Sequence, residues 1–109
     1  MGYVYLLSTV TPDGMTERFK IGVTKRKIET RIRELQTGNS EPITLLKSYQ
    51  SENYVKVENL LHKKYLGSKA NANNEWFKLE DKYVMSFEKD CEEADDTIKL
   101  LLENNPFFN

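Results

Sequence analysis

The chain has one cysteine, Cys91, which excludes an intramolecular disulfide and any Cys-rich zinc site. Glycine (5) and proline (3) are too scarce for a fibrous or low-complexity chain. The longest unbroken apolar run is Tyr3 to Leu7, far short of a membrane span. The opening residues lack the basic, apolar and small-residue order of a signal peptide, and Leu6 stands where a myristoylation signal after Gly2 needs Ser or Thr. From these absences we expect an intracellular protein, cytoplasmic or nuclear and not secreted. What is present is a globular mixture, 39% hydrophobic, 11% aromatic and 30% charged, sized for a single domain over residues 1–109. A core of that size needs no metal or disulfide staple.

The formal charge of −1 argues against a uniformly basic nucleic-acid binder, but the charges are segregated. Between Arg18 and Arg33 seven basic residues face Glu29 alone, a local +6. Between Glu80 and Glu103 nine acids outnumber three lysines, a local −6. Screening confines each field to roughly 8–10 Å, so a positive patch can hold phosphates on a neutral chain. The plainer reading is that both stretches are solvated faces, the acidic one covering the back of the sheet.

Along the chain, residues 3–8 (YVYLLS) read as a buried strand, and Pro12-Asp13-Gly14 as a turn. Residues 18–23 alternate, with Phe19, Ile21 and Val23 on one face, so the two segments make a hairpin. Gly22 inside the second strand marks a bulge or a close backbone approach. Ile28, Ile32 and Leu35 recur at helical spacing, predicting a helix over about 27–36 that stops at Gly38. A third strand over 43–49 and a second helix over about 52–66, ending at Gly67, follow. Residues 68–74 read as a polar loop and 76–79 as a short apolar segment. The last helix, about 81–103, repeats Val84, Phe87, Cys91, Ala94, Ile98 and Leu101 at spacings of three and four. The order β-β-α-β-α-(β)-α predicts an α+β fold, a small antiparallel sheet of about three strands flanked by helices.

Two helices carry the informative polar residues. On the second, Glu58 falls beside the stripe of Tyr54, Leu61 and Tyr65, with His62 one turn on. A carboxylate among apolar neighbours is costly unless paired or bound to a cation. Either it reaches solvent or a lysine, or it is a ligand for a hard cation such as Mg²⁺, which commonly takes one or two carboxylates. His62 has no cysteine or second histidine to share a metal with and reads first as structural. On the first helix Arg31 sits at the shoulder of the packed face, able to present its fork to an anion, while Arg33 points away.

Taken in order, VYLLS at 4–8, KIGVT at 20–24, ETRIREL at 29–35, VENLLH at 57–62 and EWF at 75–77 resemble the GIY-YIG nuclease superfamily. The likeness is to the branch common in phages and large DNA viruses. It covers roughly residues 3–79 and leaves the last helix outside. Tyr3-Val4-Tyr5 keeps a tyrosine, whereas Lys20-Ile21-Gly22 replaces the second signature tyrosine with lysine. The late asparagine of classical members is not assignable among Asn71, Asn73 and Asn74.

The resemblance implies a divalent-metal-dependent endonuclease acting on DNA, double-stranded by preference. Glu58 would hold Mg²⁺ or Mn²⁺ and Arg31 would neutralise charge on the phosphoryl oxygens. Tyr5 would activate or orient water, supported by Lys20 and His62. Tyrosine is a poor base at neutral pH unless its phenolate is stabilised, and Lys20 on the next strand is the candidate for that charge. Strand alternation leaves open which face of β-structure Lys20 shares with Tyr5. Lys25, Arg26, Lys27 and Arg33 would grip the sugar-phosphate backbone. The alternative is a non-catalytic relative that binds nucleic acid, a protein partner or a second copy, favoured by the lysine substitution and the acidic last helix.

Overall fold

The computed structural model describes residues 1–66 and 76–104. In chain order its elements are β1 (Gly2–Val10), β2 (Glu17–Thr24), α1 (Ile28–Thr37), β3 (Thr44–Ser51), α2 (Tyr54–Leu66) and α3 (Asp81–Asn104). This is the α+β architecture expected from the hydrophobic periodicity, with strands one to three residues longer than the pattern implies. The β1–β2 turn is closed by Asp13, whose carboxylate accepts from the Thr11 hydroxyl (2.5 Å) and the Met15 amide (3.0 Å). Gly14 takes φ of 73° there, a conformation that a side chain resists.

The sheet has the order β2-β1-β3, antiparallel throughout, with β1 in the centre. Its register pairs Tyr5 with Gly22 and Leu7 with Lys20, and Val4 with Val23 and Leu6 with Ile21. Because side chains alternate, the two sets lie on opposite faces. Val4, Leu6, Phe19 and Ile21 join Val57 and Leu61 of α2 and Phe87, Cys91 and Ile98 of α3 in the main core. Tyr5 and Leu7 are buried on the other face, outside that cluster, as is Ile28 of α1. β1 is therefore covered on both sides, which is why its run of apolar residues does not alternate with polar ones.

Three expectations are corrected. The short segment at 76–79 is not a strand. Phe77 instead makes one bridge to the free edge of β2, its amide donating to the Phe19 carbonyl (2.9 Å) and its carbonyl accepting from the Phe19 amide (2.8 Å). The packed stripe of α3 ends at Leu102 and not at Leu101, which is 63% exposed. Nor is α3 simply a solvated acidic face. Asp90 and Asp95 are buried, because they flank the Phe87–Cys91–Ile98 stripe and meet donors from neighbouring elements. Asp90 accepts from Lys64 Nζ (2.8 Å), the Tyr65 hydroxyl (2.7 Å) and the Ser86 hydroxyl (2.7 Å). Asp95 accepts from the Tyr49 hydroxyl (2.9 Å) and Asn53 Nδ2 (3.1 Å). The two carboxylates fasten α3 to α2 and to the β3 end. Between them Cys91 is fully buried, and burial with neighbouring acids pushes its thiol up to about 12, so it is inert. No helix among the described residues is long and apolar enough to cross a membrane.

Candidate active site

The face of the sheet away from α3 brings four of the singled-out residues together. The Tyr5 side chain packs against Gly22, so that a Cβ at position 22 would stand 2.6 Å from Tyr5 Cζ and closer still to the hydroxyl. The glycine is there because the ring fills the space a side chain would need. Tyr5 itself is 1% exposed. Its hydroxyl stands beside the Arg31 guanidinium and raises the Arg31 pKa more than any other neighbour. Burial opposes the rise, and Glu34 adds to it. Lys20 shares the face of Tyr5, one cross-strand pair along, which settles the strand alternation. It is 7% exposed, and burial first, then the charge of Arg31, pushes its ammonium pKa down. Its Nζ stands 6.0 Å from the centre of the Trp76 ring, brought there by the Phe19–Phe77 bridge next door.

Glu58 and His62 are presented by α2, which packs against β1 and β2. Glu58 is half-buried and makes no ion pair among the described residues, and burial alone raises its carboxyl above the usual range. His62 is 5% exposed, with its ring edge towards Phe77 at 6.3 Å between centroids. Burial pushes its pKa down, and the nearby Ile21 backbone only partly offsets that. Among the described residues neither ring nitrogen makes an aligned hydrogen bond, and burial disfavours the charged form of the ring. Among the described residues no group of three or more His, Cys, Asp or Glu side chains converges. Glu58 and His62 are thus carried by α2, whose Val57 and Leu61 pack in the Val4–Leu6 core, whereas Tyr5 meets Gly22 and Arg31 on the other face, which Lys20 shares.

The basic run divides. Lys25, Lys27 and Arg33 are exposed. Arg26 is not a free cation, because its fork grips Glu34 through two bonds of 2.5 and 2.7 Å. Arg31 Nη1 stands 3.3 Å from Glu34 Oε2, the oxygen that one arm of Arg26 also holds. Glu34 is the residue that sequence reasoning passed over. It lies inside the ETRIREL segment, three residues after Arg31, a spacing that brings the two side chains together on one helical face. Asn71, Asn73, Asn74 and Glu75 lie outside the described residues.

No curated protein and no solved structure gives a significant match to the chain. A family match spans residues 2–102 and so takes in α3, the helix left outside the sequence resemblance. That family is the T5orf172 domain, a group of nuclease-like domains, and this chain belongs to it.

Proposed function

We propose that the protein is a metal-dependent endonuclease hydrolysing DNA phosphodiester bonds with GIY-YIG-type chemistry, Lys20-Ile21-Gly22 standing for the second signature triplet. The observation that carries this reading is the seating of Tyr5 on Gly22, which delivers its hydroxyl to Arg31 on the face that also holds Lys20. Hydrolysis needs a water held in line with the phosphorus and positive charge where negative charge develops. In this reading the Tyr5 hydroxyl, with the Gly22 backbone beneath it and Arg31 beside it, activates or orients that water. Lys20 adds a positive charge on the same face of the sheet. Arg31 has further N–H groups to donate to a phosphoryl oxygen. Glu58 fits a hard cation, because its carboxylate is partly desolvated and has no competing cation among the described residues, while water and phosphate oxygens complete such a coordination shell. When bound there, Mg²⁺ or Mn²⁺ would supply Lewis acidity toward the phosphate and the leaving oxygen. His62 lies on the same helix, one turn beyond Glu58. Lys25, Lys27 and Arg33 hold the duplex backbone without reading bases.

The test is nicking of supercoiled plasmid with Mg²⁺ or Mn²⁺, against the same reaction in EDTA, for wild type and Glu58→Gln. We expect cleavage only with metal and only in the wild type, with DNA binding retained by the variant. Metal at about 100 times its Kd should also stabilise the wild type by about 2.7 kcal/mol and leave Glu58→Gln unmoved in thermal unfolding. DNA retention identical in EDTA, with no cleavage under either metal, would make the protein a binding module instead.

A further inference from the structure

We infer that Arg26 and Arg31 together form one anion site, built for a phosphate of DNA and occupied at rest by the protein's own Glu34. The inference rests on the nucleic-acid reading above and adds to it a resident competitor. Arg26 approaches one carboxylate through both arms of its fork, and Arg31 donates to the same group, sharing Oε2 with Arg26. Two guanidinium groups converging on two oxygens is the arrangement that also receives a phosphodiester, whose two free oxygens present a similar bidentate edge and the same single charge. The exchange of carboxylate for phosphate is therefore even in charge and in hydrogen bonds. It is also inexpensive, because Arg26 and Glu34 are 57% and 41% exposed and ion pairs at such exposure are weak. The position matters as much as the chemistry. Arg31 reaches the Tyr5 hydroxyl as well, so an anion seated between the two arginines lies beside the group that orients water. Glu34 then holds the arginines in place while the site is empty and leaves when DNA arrives.

A purely structural strap makes the opposite forecast. If Glu34 only ties α1 to the turn after β2, its loss slackens the arginines and weakens binding. The experiment is anisotropy of a labelled DNA duplex in EDTA, with wild type, Glu34→Gln and Glu29→Gln. Glu29 is exposed on the same helix and makes no ion pair among the described residues, so its variant measures the loss of one negative charge alone. Glu34→Gln should bind about three- to tenfold tighter than wild type, the equivalent of two weak ion pairs no longer broken on binding, and should exceed the gain from Glu29→Gln. Arg26→Ala should cost more affinity in the Glu34→Gln background than in the wild type, since only there is Arg26 fully available. A Glu34→Gln variant that binds no tighter than Glu29→Gln, or more weakly than wild type, overturns the inference while leaving DNA binding intact. A wild type that binds no duplex at any salt concentration overturns the nucleic-acid reading, and this inference with it.

Discussion

A histidine buried with both nitrogens unsatisfied costs the folded state the hydration it enjoyed in the unfolded chain, about 1–3 kcal/mol for such a group. His62 is that residue, and its pKa is depressed below the usual 6.5 by burial. Below pH 6.5 the unfolded chain takes up a proton that the native ring refuses, so wild-type stability should fall as the pH drops through that range. His62→Leu should remove this slope and raise stability at pH 6 by about 1 kcal/mol in urea titrations. If the ring also serves the site, cleavage should drop in the same variant that folds better. The Gly22 position makes the converse case. Gly22→Ala puts a methyl group where the Tyr5 ring sits, so we expect a loss of about 1–3 kcal/mol and of activity, although no polar group has been removed. Tandem measurement of melting and plasmid nicking checks both. The close approach at Gly22 was legible in the sequence, because a glycine inside a strand has few other uses. The face Lys20 shares with Tyr5 was not, since it follows from hairpin register, and register depends on the geometry of a six-residue turn between strand ends. Glu34 was missed because charges were counted in blocks, whereas its role depends on Arg26 reaching it across eight residues.

At the scale of the element, α3 shows how an acidic helix can be part of the core. Burial raises the Asp90 pKa, but the bonds from Lys64, Tyr65 and Ser86 together outweigh it and hold the carboxyl below its usual range. The unfolded carboxyl protonates near its ordinary value of 3.8 while the folded one resists, so this stabilisation is present above that pH and is lost as the pH falls through the folded value. Asp90→Asn should cost about 2 kcal/mol at neutral pH and flatten the acid limb of the unfolding curve, measured by circular dichroism between pH 2 and 6. Helix lengths and the core stripe were readable from periodicity, because spacings of three and four fix a face whatever it packs on. The depth of Asp90 and Asp95 was not readable. Both sit one step from the stripe, where a side chain is buried or solvated according to the donors that meet it, and most of those donors come from β3, α2 and the turn between them. The Leu101 and Leu102 exchange has the same origin, since successive spacings of three and four leave the last turn free to choose.

For the whole molecule, the sheet separates the two charge fields: α3 packs on the Val4–Leu6–Ile21 face and the Tyr5–Arg31 group lies on the other. A duplex should therefore be drawn to the molecule in one orientation, acids trailing, as charge steering requires. The two sides also differ in how firmly they are held. β1 is paired along both edges and buried on both faces, whereas α1 buries only Ile28 and has no side-chain cap at its start. Amide hydrogen exchange should accordingly be slowest along β1, where opening requires global unfolding, and much faster along α1, where local opening suffices. The candidate site would then pair a fixed wall, carrying Tyr5, with a yielding one, carrying Arg31. An arginine on the yielding wall can step away to admit a strand of DNA and return over it many times within the lifetime of a single folded molecule.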